Sequence, residues 1–348
     1  MRAAPVLLFG GLLFGGLLLA GCGGSSPAQD AALTDGQAPD AAAPVDAAVV
    51  DAAVSDGGPT VDSALGDGGV VLPDGGTYRN SLSVCWTDVT CQRAMSIGHG
   101  GAWSIGSIAY NSNAAISNAY AIGMEGVKID VRVSSDDIPV VSHSSPIEIY
   151  ESWDCGLLSL RIEEETAARI TQCHRETSTT ERFQRLDDVL NYLRGKMVVQ
   201  LCVKRSEDYQ RTIDEIHALG AEDFAFIELG SAAELQTIIP TLLGADTVWY
   251  LVNVASNVAD VDTLIDVIQN PRAFMYEFDP GVDVSTLTPN RLHPAGVRSF
   301  TYDSAIPISV QTIQGYFEQG YDVVSAQDGP NNVQARITVN TARSITPP

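Results

Sequence analysis

Gly126-Val127-Lys128-Ile129-Asp130-Val131-Arg132-Val133 alternates apolar and charged residues without a break. On a strand, a period of two sends the sets to opposite faces. The apolar set Val127, Ile129, Val131 and Val133 needs helices to pack against, so Lys128, Asp130 and Arg132 are predicted to point into the mouth of a barrel. A strand facing solvent at a sheet edge is the competing reading. Val199-Gln200-Leu201-Cys202-Val203-Lys204 repeats the pattern, with Gln200, Cys202 and Lys204 inward. A barrel interior is ordinarily filled by Val, Ile and Leu, and charges placed there cost free energy unless they are paired or used.

Outward from these two segments, short apolar runs alternate with helical patterns. Strands are predicted near Met95–Gly98, Gly126–Val133, Met197–Lys204, Asp223–Leu229, Thr247–Val252, Ala273–Glu277, Val297–Tyr302 and Tyr321–Ser325. Ala114–Ile122, Asp208–Leu219, Ser231–Leu243, Val261–Ile268 and Val310–Gln319 carry apolar residues at three- and four-residue spacing, as amphipathic helices do. Gly123, Gly220 and Gly320 stand where helix C-termini should fall. Eight strands alternating with helices predict an α/β fold, a (β/α)8 barrel. The connection between the second and third strands is about 60 residues long, and insertions of that length are often lids or binding elaborations.

The N-terminal segment has a different character. Arg2 precedes an apolar run from Val6 to Leu19, and Leu19-Ala20-Gly21-Cys22 closes it with small residues. That arrangement resembles a bacterial lipoprotein signal peptide over residues 1–21, with Cys22 as the lipidated residue. The run is shorter than the ~20 residues of a spanning helix. Residues 22–77 read as a disordered Ala/Asp/Gly-rich tether, without Lys, Arg, Glu or aromatic residues between Gly23 and Gly76 and with an Asp every five or six positions. Residues 78–348 are left for the barrel, lipid-anchored at the bacterial cell envelope and exported. The tether's nine Asp explain only part of the net charge of −23; 34 acidic residues against 19 basic ones remain beyond Arg2. That balance argues against nucleic acid and against electrostatic docking on anionic lipid; the membrane is reached through the anchor alone.

Besides Cys22 there are five cysteines. Export permits disulfides, and proximity suggests Cys85–Cys91 and Cys155–Cys173. Cys202 is left over and is expected as a free thiol facing the barrel interior.

Ile97-Gly98-His99-Gly100-Gly101, Tyr110-Asn111-Ser112-Asn113, Gly126–Val131 and Pro139-Val140-Val141-Ser142-His143 follow one another at family-like spacing. Leu186–Leu190 before Met197–Lys204 and the terminal run Tyr321–Pro330 extend the match. In this order the chain resembles the glycerophosphodiester phosphodiesterase family of phospholipase C-like barrels. The resemblance implies a phosphoric diester hydrolase in which His99 and His143 are the catalytic acid and base. It also implies a divalent cation, magnesium or calcium, held by several carboxylates. Here Asn111, Lys128 and Cys202 stand where the family has Glu, and of the ligand set Asp130 survives. Gly100 replaces a phosphate-binding Arg, and Ser144 replaces an acidic residue.

Lys128 paired with Asp130 is therefore expected to carry the charge a metal would supply, with Lys128, Asp130, Arg132 and Lys204 as the substrate-binding set, no metal required, and Asp130 the ligand if one binds. The substrate class is a small-molecule or lipid phosphodiester. Two other readings stay open: a non-catalytic barrel that binds a phosphate-containing or lipid ligand, and a metal hydrolase that recruits Glu228 or Glu277. His174, His217 and His293 show no partner pattern.

Overall fold

The computed structural model describes residues 70–71, 77–78 and 81–345, apart from 106–107, 177, 179 and 257. The leader, Cys22 and most of the expected tether lie outside the described residues. Val70–Val71 pairs antiparallel with Thr77–Tyr78, a short ladder within the stretch expected to lack structure.

Eight parallel strands close on themselves: β1 (Met95–His99), β2 (Gly126–Val133), β3 (Val198–Val203), β4 (Ala225–Leu229), β5 (Trp249–Ala255), β6 (Ala273–Phe278), β7 (Arg298–Asp303) and β8 (Val323–Ala326). Each pairs with its neighbour in sequence, and β8 pairs with β1 through Val323↔Met95 to Ala326↔Gly98. All eight predicted strands are present, with ends shifted by a few residues. The helices α1 (Asn113–Ala121), α2 (Leu186–Leu193), α3 (Tyr209–Ala218), α4 (Ala232–Thr237), α5 (Val258–Asp262), α6 (Val310–Glu318) and α7 (Gly329–Ala342) complete the (β/α)8 barrel. Asp328 caps α7 by accepting from the Asn331 amide at 3.3 Å, so the Asp-Gly-Pro run after β8 is a helix start.

One helix departs from expectation. Ser231–Leu243 is not continuous: α4 ends at Thr237 and a 3-10 turn covers Ile239–Thr241. Pro240 lacks an amide proton, and its ring collides with a preceding carbonyl in a continuing α-helix.

Two apolar regions divide the barrel. Alternate strand residues facing outward, such as Val127, Ile129, Leu201 and Ile227, pack beneath the helices. Inward residues of the lower barrel, Met95, Ile97, Val198, Phe226, Leu251 and Phe300 among them, meet Leu82 and Trp86 from a π-helical turn (Leu82–Trp86) that closes the floor. Trp86 is fully buried with its ring 6.3 Å from that of Phe226. Gly126 admits it: a Cβ there would come within 3.4 Å of the indole and 2.9 Å of Val198. Arg298, fully buried at the start of β7, donates Nε to the carbonyls of Cys85 (3.0 Å) and Trp86 (2.9 Å) and Nη2 to that of Cys91 (2.9 Å). One guanidinium therefore satisfies the carbonyls of the floor turn, which the Cys85–Cys91 disulfide also closes.

The insertion between β2 and β3 runs antiparallel to β2 over Pro139–Val141. It has its own small core, in which Val140, Ile147, Ile162, Ile170 and Phe183 surround the Cys155–Cys173 disulfide. Both disulfides are the expected pairs. Cys202 is buried on β3 as expected, but the free thiol is not found: no cysteine among the described residues is free.

Replacing Trp86 by Ala empties the floor and should destabilise the barrel by about 3–5 kcal/mol, read from urea unfolding. A loss below about 1 kcal/mol would mean that the turn only leans on the barrel.

Candidate active site

The alternation read in β2 and β3 has the consequence predicted for it. His99 ends β1 opposite Lys128, and the next inward position places Asp130 beside Cys202, with Glu228 following on β4. Asp130 is fully buried and accepts from four side chains. Lys128 Nζ lies 2.5 Å and Lys204 Nζ 2.8 Å from its Oδ1. Tyr110 Oη and Asn111 Nδ2 each donate to Oδ2 at 2.8 Å. Burial alone would raise this carboxyl, but Lys128 and Lys204 outweigh it and hold Asp130 well below the usual carboxylate range. Lys128 is itself buried, so its ammonium is inside the barrel and not in the helical shell.

Tyr110 ties the histidines to this centre. Its oxygen also accepts from Lys128 Nζ at 3.3 Å and lies 3.3 Å from His99 Nδ1. Its ring centroid is 5.5 Å from that of His99 and 6.2 Å from that of His143. The loop that carries it is clamped from the insertion: Tyr110 N donates to Glu176 at 3.3 Å, and buried Arg175 donates to the Tyr110 carbonyl at 3.4 Å and the Val141 carbonyl at 2.6 Å. Asn111 takes a left-handed conformation with φ 59°, which Asn tolerates better than most residues. Gly100 turns with φ +67°, and a Cβ on it would fall 1.9 Å from the Tyr110 ring. The aromatic ring fills the space that a side chain at position 100 would need.

His99 stacks on Tyr302 with centroids 4.2 Å apart, and Gln327 fixes Tyr302 by donating to its hydroxyl at 2.8 Å. His143 follows the antiparallel strand of the insertion. Its Nδ1 is 2.8 Å from Tyr150 Oη, its amide donates to Glu151 at 2.8 Å, and its carbonyl accepts from Arg132 Nε at 3.0 Å. Arg132 thus buttresses the His143 backbone. Glu151 also takes the Ser144 amide at 2.8 Å, which puts a carboxylate from the insertion beside the position where the family's own acid is missing. Tyr110, Tyr150, Glu151, Arg175 and Tyr302 were given no role from sequence; their partners lie in other loops, and no periodicity marks them. His174, His217 and His293 are held elsewhere by Asp154, Thr247 and Asp322.

Both candidate histidines are neutral near pH 7. Burial, followed by the charge of Lys128, pushes His99 well below its ordinary value. Burial brings His143 down to about 3, against the pull of Asp130. Glu228 and Glu277 are raised, chiefly by burial. The candidate metal recruits do not gather at Asp130. Among the described residues, the one group of three ligand types within 4.8 Å is Asp154, Cys155 and Cys173, where the two sulfurs are already bonded to each other.

A histidine with a depressed folded-state pKa binds fewer protons folded than unfolded, so stability falls as pH drops through about 6.5 toward 3. The buried glutamates act in the opposite sense, so the informative quantity is a difference. His143→Gln should show a shallower loss of urea stability between pH 7 and 4 than the native protein. Equal slopes would mean that His143 titrates alike in the folded and the unfolded chain.

The fold and this order of residues have known counterparts. A glycerophosphodiester phosphodiesterase from Agrobacterium tumefaciens superposes with a TM-score of 0.56 at 17% identity, covering 69% of this chain and 99% of the other. For a glycerophosphoryl diester phosphodiesterase from Parabacteroides distasonis the values are 0.59, 19%, 72% and 88%. An Oleispira antarctica phosphodiesterase, solved in complex with the product sn-glycerol-3-phosphate, gives 0.55, 16%, 72% and 99%. No curated protein matches by sequence. At these identities the solved structures speak for the fold, but the family model, described as the glycerophosphoryl diester phosphodiesterase family, matches residues 98–302. That span takes in both histidines, both lysines and Asp130, and by it the chain belongs to the glycerophosphoryl diester phosphodiesterase family.

Proposed function

We propose that the barrel hydrolyses a phosphodiester, a glycerophosphodiester or a phospholipid-derived one, with His99 and His143 as the acid–base pair and two lysines in place of a divalent cation. The observation that carries this is the double ion pair at Asp130. Two ammonium groups share one carboxylate, which leaves one net positive charge between two neutral imidazoles. In a partly dry cleft such a charge holds a phosphate and offsets the charge that develops on it during reaction.

The family's cation does not fit these donors. A hard divalent ion takes six or more oxygen ligands. Both oxygens of Asp130 are engaged by the lysines, Tyr110 and Asn111. Asn111 Oδ1, without a partner in the structure, is a single neutral oxygen. One imidazole accepts a proton from the attacking water as its oxygen bonds to phosphorus. The other, protonated, delivers its proton to the leaving alkoxide as the P–O bond breaks, giving a phosphomonoester and an alcohol.

Since both rings are neutral in the free site, the acid form has to be made as the phosphate anion arrives. Ile149, Leu157 and Leu158 are exposed on the insertion that carries Tyr150, and such apolar surface suits a diester that bears an acyl chain. The two disulfides and the lipoprotein-like leader support the reading that this activity is exported and works at the cell envelope.

Glycerophosphodiesters, lysophospholipids and inositol phosphodiesters are the substrates to assay. Turnover should be indifferent to EDTA and should fall about 10²–10⁴-fold in His99→Ala and in His143→Ala. Lys128→Glu should abolish it. Loss of activity with chelator would reject the lysine reading; no turnover but retained phosphate-ester binding would make the barrel a binding protein.

The pH profile gives a second check. With the acid form scarce in the free enzyme, kcat/KM should rise about tenfold per pH unit as pH falls from about 8 to 5. A profile that falls toward acid would contradict it.

A further inference from the structure

The two histidines offer the same ring nitrogen to a neighbour but differ in how that neighbour engages it. Each presents Nδ1 to a tyrosine hydroxyl, at 3.3 Å from Tyr110 and 2.8 Å from Tyr150. The two hydroxyls are not equivalent. Tyr110 has one proton, and Asp130, an ionised carboxylate at 2.8 Å, takes it. Toward His99 the Tyr110 oxygen can only accept, as it does from Lys128. His99 must then carry its proton on Nδ1, which leaves the Nε2 lone pair bare.

Among the described residues the partner of the Tyr150 hydroxyl is His143 and no carboxylate. Burial, with Glu151 and Glu148 nearby, raises its hydroxyl above the ordinary range, so it keeps its proton. A phenol is a good donor and a poor acceptor, whereas an imidazole nitrogen without a proton is a strong acceptor. The contact therefore runs from Tyr150 Oη–H to His143 Nδ1, and His143 carries its own proton on Nε2.

The geometry points to Tyr150 as the positioning residue that fixes His143 in the Nε2–H form, opposite in tautomer to His99, so that one ring enters the reaction as base and the other as hydrogen donor. The inference rests on the two-histidine reading above and assigns its roles: His99 Nε2 takes the proton of the water, and His143 Nε2–H faces the departing oxygen. When His143 gains the second proton it needs as an acid, the proton goes to Nδ1 and the Tyr150 oxygen turns to accept it. Tyr150 is 44% exposed. It lies on the insertion and is supplied by no barrel strand.

Nitrogen–proton correlation spectra of the imidazole rings in the histidine-labelled full chain distinguish the tautomers directly near pH 7. His99→Asn and His143→Asn variants assign the signals by their disappearance. The expected result is Nδ1–H at His99 and Nε2–H at His143. In Tyr150→Phe the His143 signals should move to those of a tautomer mixture while His99 is unchanged, and kcat should fall about tenfold with KM held. Nδ1–H at His143 in the native protein, or a His143 tautomer that Tyr150→Phe leaves in place, overturns the inference. The spectra need no turnover. Tautomers as stated in an inactive protein would refute hydrolysis alone, and activity with both rings in the same tautomer would refute the inference alone.

Discussion

The ionised Asp130 carboxylate is the constraint around which the upper barrel is arranged. Alone and fully buried it would be driven to the neutral acid, and Lys128 and Lys204 without it would be two like charges on adjacent strands. Together they close a compact centre that joins β2 to β3 and, through Tyr110 and Asn111, both to the loop after β1. Breaking a buried pair by removing one partner is far costlier than the pair is stabilising, about 3–5 kcal/mol. Asp130 is therefore as much a part of the fold as of the site.

Charge sums over the chain are a poor guide to this centre. The protein as a whole is strongly acidic, yet its barrel mouth holds a local excess of positive charge. Glu228 and Glu277, which feel the charge of Lys128, are pushed by burial toward the neutral form. Field strength at a reacting phosphorus depends on what is within a few ångströms and dry, and the surface charges are screened over about 8–10 Å of salt solution.

Much of this could be read from residue order. Strand parity alone put Lys128, Asp130 and Lys204 on one inward face, and the eight strands stood out as short apolar runs alternating with helical patterns. The floor turn escaped: Trp86 precedes the first strand and is buried through contacts with β2, β4 and β7 that lie far away in sequence. Pro240 ended a helix that apolar spacing alone extended to Leu243. Tyr110 was visible in a loop motif, but its part depends on three partners, His99 on β1 and Lys128 and Asp130 on β2. Tyr150 and Glu151 lie in an insertion whose path is set by a disulfide and a separate small core. Roles of that kind arise from where loops land, and a sequence carries no periodic trace of it.

Gly100 and Tyr110 show how the site could have changed and why the change is hard to reverse. The family resemblance puts a phosphate-binding Arg at position 100, yet here the backbone is left-handed and the Tyr110 ring stands where the first side-chain carbon would be. A single reversion to Arg collides with an aromatic ring that is itself bonded to Asp130. A single loss of that ring leaves the carboxylate one donor short and the His99 Nδ1 proton without its acceptor. Either first step lands on a less fit intermediate, so the two positions can only be exchanged together. Glycine at position 100 and tyrosine at position 110 are therefore a linked pair, each holding the space or the bonds that the other permits.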